Sequence, residues 1–91
     1  MDDVAKLLSK PTNYAVVQLP GRSYPGTVIQ GDSLQTLVLR LQEVRQMLDS
    51  NQIEDASVKL DDICEQLTEA LGHYEMICQQ QDIELPYKKN V

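Results

Sequence analysis

Phenylalanine and tryptophan are absent, and four tyrosines are the whole aromatic content. A core in this chain must therefore be aliphatic, built from Leu, Val, Ile and Met. Histidine occurs once, as His73, which thins the options for chemistry. Ser23 or Ser33 would need a base to act as a nucleophile, and nothing in the sequence sets His73 near either. Glu69 and His73 stand four apart and share a helix face, but a metal site needs three or four ligands. No metal, no cofactor and no enzymatic activity are expected.

Cysteine is nearly as scarce, with Cys64 and Cys78 alone. On one helix they lie about 21 Å apart, whereas a disulfide needs Cα atoms within about 7 Å. Both fall on an apolar stripe, so buried and inert thiols are expected, and a reduced, cytoplasmic setting. Basic residues are few: 8 Lys and Arg stand against 14 Asp and Glu, for a net charge of −6. The acids crowd into residues 43–84, where Arg45 and Lys59 are the only Lys or Arg. That sign opposes nucleic-acid binding, which rests on cations meeting phosphates, and it opposes an anionic membrane surface. No apolar run is long enough to span a bilayer. The start, MDDVAKLLSK, lacks the basic and apolar regions of a signal peptide.

What is present is punctuation, then periodicity. The 91 residues suffice for a single small domain, 1–91. The stretch LPGRSYPGTVIQGDSLQTL holds two Pro-Gly pairs and a Gly-Asp-Ser. Tyr14 to Leu19 reads as a strand and Thr27 to Gln30 as a second. LPGR and YPGT each suit a type II turn, with Pro second and Gly third, or one of the two is a kink. The expected result is a two-stranded antiparallel hairpin over about 14–31, with Arg22, Ser23 and Tyr24 in its loop. Residues 2–9 read as a short N-terminal helix, with Val4, Leu7 and Leu8 on one face. Pro11 ends that segment.

Asp32 or Ser33 is the expected N-cap of helix one, about 33–49. Its stripe is Leu34, Leu37, Val38, Leu41, Val44 and Leu48. Helix two, about 54–81, carries Ala56, Leu60, Ile63, Leu67, Ala70, Tyr74 and Ile77, widened by Cys64, Leu71 and Cys78. So wide a stripe suits a core-facing helix. The second helix spans roughly 42 Å against about 25 Å for the first. Antiparallel helices of such unequal length leave an apolar overhang. The hairpin, the N-terminal segment or a second chain must cover it. Residues 85–87 are expected to fold back as an anchor, and 88–91 to form a tail. The class is α+β: a β-hairpin packed on a long two-helix antiparallel hairpin.

The segment YAVVQLPGRSYPGTVIQGDSL resembles a family of short, uncharacterised bacterial proteins. Its marks are Ala-Val-Val-x-Leu-Pro-Gly-Arg, an aromatic-Pro-Gly, and Gln-Gly-Asp-Ser-Leu; the ending HYEMICQQQDIELPY is similar too. The resemblance runs from about Tyr14 to Tyr87 and implies a stand-alone bacterial cytoplasmic domain, without assigning an activity. Small acidic proteins of this class resemble immunity proteins that neutralise a toxin, by analogy alone.

The functional expectation is a non-enzymatic protein-binding module, most concretely an immunity or antitoxin-type inhibitor. Asp61, Asp62, Glu65 and Glu69 would meet a basic, toxin-like partner. One alternative is a small-molecule or peptide-binding regulator that uses the PGRSYPG loop, with Arg22 and Tyr24 as contacts. Another is a structural homodimer or assembly subunit held through helix two.

Overall fold

The computed structural model describes residues 3–89. Asp2 of the expected N-terminal helix, and Asn90 and Val91 of the tail, lie outside the described residues. Three strands precede two helices: β1 (Lys6–Leu7), β2 (Val16–Gln18), β3 (Gly26–Thr27), α1 (Gly31–Asp49) and α2 (Ile53–Gln80). The chain gathers into two compact units, one of Gln30–Ala70 and one of Met1–Ile29 with Leu71–Val91.

In the first unit, α1 lies against the N-terminal part of α2. Leu37, Val44, Ala56 and Ile63 are buried between them, with Met47 packed alongside. Ala56, only 1% exposed, lets the helices approach closely near their connection. The connection is residues 50–52, and its geometry explains its brevity. Asn51 has φ 60°. The Gln52 N–H donates to the Met47 carbonyl at 2.7 Å, and the Asn51 N–H to the Leu48 carbonyl at 3.1 Å. This is a Schellman ending with Asn at the left-handed position, a role Asn fills second only to Gly.

The start of α1 differs from expectation. Its N-cap is Gln30, without a side-chain cap bond, two residues ahead of the expected Asp32. The Gln30 carbonyl accepts from the Leu34 N–H at 2.9 Å. Asp32 still serves the end of the helix from inside the first turn: its Oδ1 accepts from the Ser33 N–H at 2.8 Å. A carboxylate there also meets the positive end of the helix dipole. The Gly-Asp-Ser punctuation is thus a first helical turn.

In the second unit, β1, β2 and β3 form an antiparallel sheet in chain order. Lys6 pairs with Gln18 and Leu7 with Val17, while Val16 pairs with Thr27 and Val17 with Gly26. The expected short N-terminal helix is corrected to strand β1, and the two-stranded hairpin to three strands. Helix nucleation is costly in so short a segment. A lone two-stranded ribbon is itself marginal in water, and a third strand supports it. The Leu8 N–H donates to the Val16 carbonyl at 2.8 Å, which extends this pairing by one residue. Val16 is fully buried, and its N–H donates to Ser9 Oγ at 2.9 Å.

The expected overhang of α2, the half with Leu71, Tyr74, Ile77 and Cys78, is covered by its own chain except at Leu71, which stays 48% exposed. Tyr74, Ile77 and Cys78 form a core with Val16, and Leu8, Ile83 and Leu85 pack on it. Helix α2 ends as α1 does, with Asp82 at φ 55°. There the Ile83 N–H donates to the Cys78 carbonyl at 2.8 Å, and the Asp82 N–H to the Gln79 carbonyl at 3.2 Å. Ile83 thereby folds back onto Cys78, the apolar contact that accompanies this motif. Residues 85–87 anchor the ending: Tyr87 Oη donates to Glu75 Oε2 at 3.0 Å, and Lys89 Nζ lies 3.5 Å from Glu75 Oε1.

A β-branched residue at a left-handed position is strained by about 1–2 kcal/mol. Asn51→Val is therefore expected to lower the unfolding free energy by that amount, and Asn51→Gly to leave it equal or higher. Urea midpoints of the two variants check this; equal midpoints would show that the turn is not held at positive φ.

Candidate functional site

Two sets of side chains were expected to carry function, and each lies within one unit. Asp61, Asp62, Glu65 and Glu69 stand on α2 and are exposed. At about 100° per residue they share an arc of roughly 100° turned away from the buried Ala56–Ile63 line. The two ion pairs among the described residues are Lys59 with Glu43 at 2.6 Å and Lys89 with Glu75 at 3.5 Å. Neither reaches the four carboxylates. They form an acidic, hydrated surface that no cation of the described chain neutralises. Hydrated carboxylates of this kind steer and hold cations.

Arg22 and Tyr24 lie between β2 and β3. Residues 19–22 make the expected type II turn: Gly21 has φ 77°, and the Arg22 N–H donates to the Leu19 carbonyl at 3.3 Å. Gln18 Nε2 reinforces the turn by donating to the Arg22 carbonyl at 2.7 Å. Gly21, Arg22, Ser23 and Tyr24 line an open cavity of about 400 Å³. YPGT is not a second turn. Gly26 enters β3, and Pro25 is buried, its carbonyl accepting from Tyr74 Oη at 2.9 Å.

That buried bond was not foreseen, since only the fold brings position 25 to position 74. Burial and then the neighbouring Cys78 thiol push the Tyr74 hydroxyl up to about 12. The Tyr87 hydroxyl is also raised, first by burial and then by its bond to Glu75. The cysteines divide: Cys78 is buried as expected, but Cys64 is exposed. Cys64 sits at the edge of the α2 stripe, and no element within its unit covers that edge. His73 lines a cavity of about 430 Å³ with Ser9, Thr12 and Gln80. Its Nε2 is buried with no hydrogen-bond partner among the described residues. Among the described residues no three His, Cys, Asp or Glu side chains gather to hold a metal ion, and no helix is long and apolar enough to cross a membrane.

A family model covers residues 2–87, nearly the whole chain. The chain belongs to a family of unknown function, DUF6959. No curated protein and no solved structure matches it. The DUF6959 match spans both units, so the three strands, the α1–α2 pair and the folded-back ending all fall within the family's extent.

Tyr74 generates a pH prediction. Its folded-state value near 12 lies above the ordinary 10, so the folded chain keeps a proton that the unfolded chain has lost between those values. Its contribution to stability is complete below pH about 10 and lost as the pH rises toward about 12. Tyr74→Phe removes that loss and costs about 1–3 kcal/mol at neutral pH, because the buried Pro25 carbonyl loses its donor. Urea unfolding of both proteins at pH 7 and pH 11 checks this; an unchanged pH 7 midpoint would show that the bond is not made.

Proposed function

We propose that this chain is a non-catalytic protein-binding module whose acidic α2 surface receives a basic protein partner. The carrying observation is that Asp61, Asp62, Glu65 and Glu69 share one exposed arc without a neutralising cation among the described residues. An inhibitor of the immunity or antitoxin type fits this reading in size and charge. Such a partner presents Lys and Arg, and the four carboxylates raise the encounter rate and fix the orientation of docking. The scarcity of nucleophile–base pairs favours binding over chemistry. A bacterial, cytoplasmic setting accompanies the reading.

The tagged chain, used as bait in extract of its native cell, is expected to retain a basic protein that elutes as salt rises. Replacing all four acids by lysine is expected to lower the affinity for that protein at least tenfold. Equal retention by the quadruple variant would remove the acidic surface from the account.

A second reading is favoured by the rigid turn that presents Arg22 beside its cavity. There the guanidinium would hold a phosphate or carboxylate group. Inorganic phosphate is then expected to raise the melting temperature of the wild type and not of Arg22→Ala. An equal rise in both would dismiss the site.

A further inference from the structure

The α1–α2 pair has a second surface, independent of the acidic one. Leu34, Val38, Leu41 and Leu48 on α1, and Leu60 and Leu67 on α2, retain between 38% and 49% of their exposure. Helical geometry places them together. On α1 the buried line runs through Leu37 and Val44. Leu34, Leu41 and Leu48 stand roughly 50° to one side of it, and Arg40 roughly 50° to the other. On α2 the buried line runs through Ala56 and Ile63, with Leu60 and Leu67 some 40° to one side and Lys59 and Gln66 about 60° to the other.

The helices run antiparallel, as their polar contacts show: Arg40 Nη1 donates to Gln66 Oε1 at 3.0 Å and Lys59 Nζ to Glu43 Oε2 at 2.6 Å. In an antiparallel pair, the same turn away from the seam leads to the same face on both helices. Both polar contacts therefore cross the seam on one face, and the leucines of both helices lie on the other. The leucines recur at intervals of seven, the period of a helix seam.

The geometry points to a second copy of this chain as the occupant of that face, the two α1–α2 pairs closing into a four-helix bundle. Two observations favour self-pairing. The six residues expose on the order of 500 Å² per copy, so two copies cover about the 1,000 Å² that a specific interface requires. Charge is the second. Two chains of net charge −6 repel wherever their acids face each other. Asp62, Glu65 and Glu69 continue round the polar side of α2, and Asp61 lies on its outer edge. The one charged side chain within about 110° of the seam on the leucine side is Arg45. Two leucine faces can meet without setting carboxylate against carboxylate, and each acidic arc stays free.

Light scattering of the full chain during size-exclusion chromatography, from micromolar to several hundred micromolar, tests this. The expected mass is twice 10.3 kDa. Leu41→Glu with Leu60→Glu is expected to give the single mass with helical circular dichroism retained. If that variant does not fold, Leu41→Ala with Leu60→Ala is expected to raise the dimer dissociation constant at least tenfold. Leu39→Glu and Val58→Glu are the controls: these residues are 49% and 62% exposed but point away from the leucine face, and the dimer is expected to persist. A wild type of single mass at the highest concentration would overturn the proposal and leave the face to another protein. A dimer that survives the paired leucine changes, or that the controls break equally, would overturn it as well.

Discussion

The Tyr74 hydroxyl has one buried acceptor, the Pro25 carbonyl, and the sheet-bearing unit is arranged around that bond. Tyr74 is the aromatic member of an otherwise aliphatic cluster of Val16, Ile77 and Cys78. Burying a phenol without a partner costs several kcal/mol in an apolar setting, and the residue just before β3 delivers a carbonyl to it. Proline at position 25 suits that task. It has no N–H to satisfy, and its fixed φ holds its backbone steady. From that point the register follows, with Gly26 set beside Val17 and Val16 beside Thr27. Val16 is then buried over α2, and Leu8 and the returning Ile83 close the cluster.

The helices were legible because their signal is repeated many times along the chain. Apolar residues at intervals of three and four placed α1 within two residues of its observed start, and α2 within one residue at each end. The Pro-Gly pairs were legible by half. Pro20-Gly21 is a local turn whose signal is complete in four residues, whereas Pro25-Gly26 is fixed by a side chain 49 positions away. Strand β1 was hidden for the same reason. Val4, Leu7 and Leu8 have helical spacing, but β2 offers an edge to pair with, and pairing outweighs propensity in so short a segment. Asn51 and Asp82 are polar residues at helix ends whose left-handed role appears only in the backbone. Of the candidate site, the four acids were read as exposed and are exposed. Arg22 and Tyr24 were read into a loop and lie in one. The buried, unpartnered nitrogen of His73 has no sequence signal.

The stripe lies where the spacing puts it, but it is wider than the buried lines. Its width suits one broad core-facing surface, yet within its unit only the Leu37–Val44 and Ala56–Ile63 lines are buried. A helix with one neighbour needs one apolar line, whereas a helix with two neighbours needs two adjacent lines. The extra width on α1 and α2 is a second line of leucines on the same face of both helices. On the four-helix proposal, stripe width counts neighbours, and the sequence had encoded one more than a single chain supplies. The polar residues at the seam agree with that arithmetic. Arg40, Gln66, Lys59 and Glu43 cross it on one side, opposite the second line of leucines. A surface so divided lets one helical pair meet its own copy on one side while its carboxylates remain turned outward toward a cationic partner.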